Sequence, residues 1–412
     1  MLCAYEFPPL IGTRPLRWAQ LVRVLSARGW QVDLLTIAPS PGHPRYDADS
    51  LNLLPEDLRV YRTWPGPLHR LAYRRRRRPG EKIGASASRK SKLDVLKAML
   101  VPDPAIEWVP FALAKGLRLL REHDYRLIIS SGYPFSAHLL GYWLKRRSGL
   151  PWVADSGDPW AFNPAWPRPA WRIRLDRHLE ARLLKRLDRL ILTTAGAKAG
   201  YLEHYPDLSP EQVSVLPSGY DPAEYAQILA EGSSRFRLVY TGRFYAGTRE
   251  PQALWAALAQ LGDLDYELLV AGERAGPERL PPQVRFLGFV SRRRALALQK
   301  GASILLFLGN RSPEPQAQLP AKLFEYLAAG RPILAIRSDA DDFAAKLVQQ
   351  WRRGPVVENR PEAIAGAIRK AQALWRRGQL ERSFDLSPHP EYSWEQLGGR
   401  LAVILRQVIA GA

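Results

Sequence analysis

The chain has 412 residues, 46% of them hydrophobic and 10% aromatic, which is enough apolar mass for two globular domains and excludes a disordered chain. Its one cysteine, Cys3, excludes an intramolecular disulfide and a cysteine-based zinc site and fits a reducing compartment. The net charge of +20 is uneven, with 34 Lys and Arg against 17 Asp and Glu in residues 1–200 and 26 against 23 in the remainder. No apolar run approaches the roughly 18 residues of a membrane span, and the N-terminus lacks a signal-peptide pattern, so a cytoplasmic protein is expected.

Residues 2–5 read as a strand, 16–28 as a helix stopped by Gly29, and 32–36 as a second strand, together a β-α-β unit. The opening strand is short, which suggests a native start upstream of Met1. In the first loop, PPLIGTRP, Gly12 lets backbone approach a ligand closely, although a lone glycine is more often just a turn. Five consecutive arginines at 74–78 open a Gly-, Ser- and Lys-rich stretch to Lys92, so about 70–95 is expected to be a solvated basic loop. Its partner is an anionic membrane surface, at about 1 kcal/mol per basic residue, or a nucleic-acid backbone, or nothing. Charge alone does not choose.

A helix at 108–123 and a strand at 127–130 precede a helix opened by Pro134 and Ser136, which puts His138 in a first turn beside a strand end. A satisfied structural histidine is the alternative. The strand at 152–154 runs into Asp155, Ser156, Gly157, Asp158, Pro159 and Trp160, where carboxylates can accept from hydroxyls and an indole can stack on a sugar. The plain alternative is an Asx-type turn with a packing Trp. A helix at 175–187, a strand at 189–193 and a helix from Lys198 follow, and 213–222 reads as a hinge.

The β-α alternation then restarts with strands at 238–240, 266–271 and 284–287 and a helix at 251–261. The loop TGRFYAGTRE carries Arg243 and Arg249, either exposed loop arginines or fixed cations able to stabilise a developing negative charge. In QLPAKLFEYLAAGRPILAI, Pro320 and Gly330 bracket a helix expected over 320–329, followed by a buried strand at 333–336. Leu323 and Leu327 face a core, while Lys322 and Glu325 form a pair displayed on another face, whether for a nucleotide or merely for solvent. Neither a P-loop nor an H-E-x-x-H motif is present, and no metal is expected. The last helix, 392–409, carries an apolar stripe of Trp394, Leu397, Leu401 and Leu405.

The segment at 320–332 resembles the donor motif P-x-K-x-x-E-Y-x-x-x-G-x-P of family 4 glycosyltransferases. The resemblance implies an α/β GT-B fold, two Rossmann-like doubly wound parallel-sheet domains facing a central cleft. It implies an acceptor domain at 1–218, a nucleotide-sugar donor domain at 219–385 and a C-terminal helix, 386–412, crossing back to the first. Glu325 then holds the nucleotide ribose, and Gly12, Arg243, Arg249 and Lys322 the nucleotide or diphosphate. His138 and Asp158 are the catalytic candidates, and Asp155 and Trp160 the acceptor-loop candidates.

Two departures stand out. A subgroup of the family carries D-x-R-D-P-W where this chain has Gly157 in the Arg position. The family's E-x7-E places a sugar-side Glu where this chain has Ala317, so Gln316, Ala317, Gln318 and Leu319 are expected to bind the sugar through backbone N–H groups. The implied reaction is retaining, metal-independent and without a cofactor. It moves a sugar from a UDP-, GDP- or dTDP-sugar to a hydroxyl acceptor, such as a lipid-linked saccharide, in polysaccharide or glycolipid synthesis at the inner face of the membrane. The alternatives are a GT-B nucleotide-sugar epimerase, a catalytically inactive donor-binding protein and a basic nucleic-acid binder, the last disfavoured.

Overall fold

The computed structural model describes residues 1–73, 97, 99–163, 168–245, 247–277, 279–311 and 319–411. The chain divides into two compact units, Met1–Pro217 with Trp394–Ala412, and Ser218–Ser393. The basic loop at 74–96, and Gln316, Ala317 and Gln318, lie outside the described residues.

Unit 1 is built on a parallel sheet of β1 (Leu2–Ala4), β2 (Asp33–Ile37), β3 (Arg59–Thr63), β4 (Ile128–Gly132), β5 (Trp152–Ser156), β6 (Arg189–Leu192) and β7 (Val213–Val215). The order is β3-β2-β1-β4-β5-β6-β7. Every residue of β1, β2, β4 and β5 is buried, as a sheet covered by helices on both faces requires. Leu2 pairs with Leu34 on one side and Ile129 on the other, so the strand order reverses between β1 and β4 and the loops leaving their carboxyl ends diverge there. Helix Trp394–Ala410 buries Trp394, Leu397, Leu401 and Leu405 in the same core as Trp18, Leu21 and Leu25 of helix Thr13–Ala27. Each such side chain contributes about 1.5–3 kcal/mol on burial.

Unit 2 repeats the plan with β8 (Phe236–Thr241), β9 (Tyr266–Ala271), β10 (Val284–Phe286), β11 (Ile304–Leu308), β12 (Ile333–Arg337) and β13 (Val356–Glu358), in the order β10-β9-β8-β11-β12-β13. Here the order reverses between β8 and β11. Val239, Leu305 and Phe307 face one apolar core and Leu238, Tyr240 and Leu306 the other, the alternation of a strand buried on both sides.

The doubly wound α/β architecture expected from the sequence is the one observed. Within 213–222, Val213–Val215 pairs with β6 as the edge strand of the first sheet, and the division between the two units falls after Pro217. The helix expected over 320–329 is Lys322–Ala328, with Leu323 N–H bonded to the Pro320 carbonyl at 3.0 Å and Gly330 at φ 66° just past its end. Strands β3, β11 and β13 went unread. β3 is a charged, part-exposed edge strand and β13 is three residues long, but β11 is a plain apolar run.

Candidate functional site

In unit 2 the residues singled out from the sequence collect at the carboxyl ends of β8 and β11. After β8 the chain turns at Gly242, whose φ of 125° suits glycine. The loop after β9 packs on this turn so closely that a Cβ at Gly272 would lie 2.0 Å from the Gly242 carbonyl oxygen. A two-residue bridge between Tyr245 and Arg249 closes the rest of the loop. Arg249 is buried and donates through Nε to Asn310 Oδ1 at 2.9 Å, while the Tyr240 hydroxyl donates to the Arg243 carbonyl at 2.8 Å. Arg243 itself lies over the Phe289 ring at 5.1 Å.

Lys322 is not displayed beside Glu325, contrary to the reading of the sequence. Its ammonium nitrogen is shielded from solvent, 4.0 Å from the Tyr240 ring centroid and 5.5 Å from that of Phe307, and has no hydrogen-bond partner among the described residues. Burial, and then the charge of Arg249, push its pKa well below the usual lysine value, with Glu325 opposing. An unsatisfied buried cation of this kind is costly, by about 1–3 kcal/mol or more, and it stands beside a glycine turn and a second cation. That is the donor set a diphosphate needs.

Glu325 is engaged from the opposite side. Its Oε1 accepts from Arg292 Nη1 at 2.9 Å, and the same guanidinium holds Glu224 through Nε at 2.7 Å and Nη2 at 2.8 Å. Two carboxylates push the Arg292 pKa up despite burial. Neither Arg292 nor Glu224 was found from sequence. The available signal was Arg292–Arg294 at a helix N-terminus, the end that repels cations. The backbone of helix Lys322–Ala328 is tied down by the Tyr225 hydroxyl, 2.9 Å from the Glu325 carbonyl, and by Tyr326, whose oxygen accepts from Thr241 N–H at 3.0 Å. Leu319, the described end of the sugar-side loop, packs against the unit 2 core.

In unit 1 the candidates lie where β1 and β4 part. Gly12 precedes helix Thr13–Ala27, whose N-terminus has no side-chain cap and no acidic residue in its first turn. His138 is buried, with Nδ1 2.8 Å from Ser130 Oγ, which also accepts from Trp152 Nε1 at 2.8 Å; Nε2 has no partner among the described residues. Burial and then the Arg14 charge lower its pKa to about 3, so the imidazole is neutral at ordinary pH. The helix N-terminus does not supply this neutrality through open N–H groups, because Asp103 occupies it, accepting from Phe135 N–H at 2.6 Å and Ser136 N–H at 3.1 Å.

Asp155 and Trp160 do not form the open hydroxyl-binding surface expected of them. The Asp155 carboxylate is buried and taken by Arg14, by Arg17 Nη2 at 3.2 Å and by Trp18 Nε1 at 2.8 Å. Burial alone would raise its pKa, but the two arginines outweigh it and hold it below the carboxylate range. Trp160 is 1% exposed and stacks on Phe135 at 5.0 Å, leaving no face for a sugar. Asp158 is half-buried; burial raises its pKa and Arg14 opposes the rise. Among the described residues no group of His, Cys, Asp or Glu is placed to hold a metal ion, and no helix is long and apolar enough to cross a membrane.

Residues 16–219 match the family model for a glycosyl transferase 4-like domain, and residues 235–373 the model for glycosyl transferases group 1. No curated protein matches significantly. Among solved structures, a glycosyltransferase from Rickettsia africae is similar over 100% of this chain and 99% of its own, at 12% identity and a TM-score of 0.66. A Listeria monocytogenes protein assigned as a UDP-N-acetylglucosamine 2-epimerase is similar over 100% and 97%, at 11% identity and a TM-score of 0.58. The lipopolysaccharide outer core galactosyltransferase WaaB is similar over 99% of each chain, at 13% identity and a TM-score of 0.53. At these identities the structural likenesses establish the fold, and the two family matches, which together span most of the sequence, establish the family: the chain is a group 1 glycosyltransferase of the GT-B fold.

Proposed function

We propose that this glycosyltransferase is retaining and metal-independent, takes a UDP-, GDP- or dTDP-sugar in unit 2, and transfers the sugar to a hydroxyl acceptor bound in unit 1. The observation that carries the reading is the unpartnered, buried Lys322 ammonium beside Gly242 and Arg249. As the sugar leaves, charge accumulates on the departing diphosphate, and Lys322, Arg249 and Arg243 stabilise it. Glu325 gives one carboxylate oxygen to Arg292 and keeps Oε2 for a ribose hydroxyl. The backbone N–H groups of Gln316, Ala317, Gln318 and Leu319 bind the sugar in place of the absent carboxylate.

In unit 1 the neutral His138 offers Nε2 to a sugar hydroxyl, Gly12 leaves the backbone of the first loop approachable, and Asp158 receives the acceptor hydroxyl. Asp155 and Trp160 support the loop from below. The excess of Lys and Arg in the first half of the chain favours an acceptor at an anionic membrane face, a lipid-linked saccharide of polysaccharide or glycolipid synthesis. A thermal-shift screen of UDP-, GDP- and dTDP-sugars tests the donor assignment. Glu325→Ala should abolish the shift, and absence of any shift with the intact chain would contradict it. Nucleotide-sugar epimerisation is the second reading, prompted by the fold shared with the Listeria protein. Product analysis with a single donor separates transfer from epimer formation.

A further inference from the structure

Two arginines from one helix grip the Asp155 carboxylate, and they do so unequally. Arg17 uses every donor nitrogen: Nε and Nη2 reach Asp155 at 3.3 and 3.2 Å, Nη1 the Pro217 carbonyl at 2.6 Å, and Nη2 also the Leu216 carbonyl at 2.9 Å. With Trp18 Nε1 at 2.8 Å, this already anchors Asp155. Arg14 adds Nη2 to the same carboxylate, to the Asp155 carbonyl at 2.7 Å and to Ser131 Oγ at 3.3 Å, but its Nε and Nη1 are buried without a hydrogen-bond partner among the described residues. A second guanidinium is not needed to neutralise one carboxylate. A basic residue in the first turn of a helix opposes the macrodipole, and orphaned buried donors are destabilising. Stability does not account for Arg14.

Its position depends on Gly157. A Cβ at Gly157 would stand 3.2 Å from both Cδ and Nη1 of Arg14, so the guanidinium lies in the space that a side chain at 157 would claim. This is the position at which the loop departs from D-x-R-D-P-W. An arginine from the first helix thus lies beside the position at which the loop lacks one. From there Arg14 acts on both catalytic candidates: its charge favours neutral His138 and ionised Asp158.

We propose that Arg14 is a further positioning residue of the transfer site, holding the 155–160 loop against the end of β4, and that Gly157 lacks a side chain in order to admit it. The inference rests on the reading of unit 1 as the site of transfer given above. It is tested by release of nucleoside diphosphate from UDP-, GDP- and dTDP-sugars with water as acceptor, in the intact chain and three variants. Arg14→Ala should lower kcat by about a hundredfold with KM for the donor changed by less than about threefold. Gly157→Ala should lower kcat in the same sense but less, because its methyl group, 3.2 Å from Cδ and Nη1, obliges the guanidinium to shift. Arg14→Ala combined with Gly157→Arg should regain about tenfold over Arg14→Ala alone, which no purely structural role would produce. Both single variants at wild-type kcat, or a folded double variant no better than Arg14→Ala, would overturn the role of Arg14. If Arg14→Ala fails to fold, Gly157→Ala decides alone. An intact chain that releases no nucleotide overturns the functional reading itself.

Discussion

Lys322 Nζ sits 4.0 Å above the Tyr240 ring with no hydrogen-bond partner among the described residues. The ring face offers the ammonium part of what water would, about 0.5–2 kcal/mol, and the rest of its solvation is missing. Replacing Lys322 with Met keeps the aliphatic volume and removes the charge. Lys322→Met should therefore melt at the same temperature as the intact chain or higher, by thermal denaturation without nucleotide. A clear drop in Tm would mean that the ammonium is satisfied in a way the geometry does not show.

The depressed pKa of Lys322 also fixes a sign. Burial disfavours the charged form, so a bound diphosphate raises the pKa and draws in a proton wherever the free lysine is neutral. Nucleotide affinity should fall as pH rises, and titration calorimetry in buffers of different ionisation enthalpy should report proton uptake. In Lys322→Met this component should vanish.

His138, at about 3, and His43 and His69, each at about 4, are all held below the ordinary value by burial first. A histidine whose folded pKa is depressed takes its proton in the unfolded state first, so stability is lost as pH falls from about 6.5 toward the folded value, at about 1.4 kcal/mol per pH unit for each group. Denaturant unfolding between pH 6.5 and 4.5 should show this slope. His138→Asn should reduce it by about one proton.

Much of this was legible in the sequence, for a local reason. Strands such as Tyr266–Ala271 and Ile333–Arg337 are apolar runs bounded by turns, and the P-x-K-x-x-E spacing keeps Lys322 and Glu325 in one short helix. What could not be read depends on residues far apart in the chain. Asp155 resembles an exposed hydroxyl binder until Arg17 and Trp18 arrive from the first helix. The part of Arg14 depends on the absence of a side chain at Gly157. Arg292 lies in an arginine run that periodicity reads as surface, yet it joins Glu224 to Glu325. The burial of a charge is decided by its partners.

Asp155→Asn should be severely destabilising. It leaves Arg14 and Arg17 facing each other across a neutral amide in a buried site, a loss of about 3–5 kcal/mol. Asp158→Asn, in the same loop but half-buried and without that ion-pair cluster, should cost far less. Urea unfolding of the two variants side by side measures the difference, and equal losses would contradict the structural assignment of Asp155.

The central claim is that unit 2 binds a nucleotide sugar with its diphosphate at Lys322. Calorimetric titration of UDP-, GDP- and dTDP-sugars into the intact chain and Lys322→Met tests it most directly. At least one donor should bind the intact chain and weaken by about tenfold or more in the variant, the loss of one charge-assisted contact worth about 1.5–3 kcal/mol. A donor that binds both proteins equally, or the failure of every donor to bind the intact chain, would contradict it.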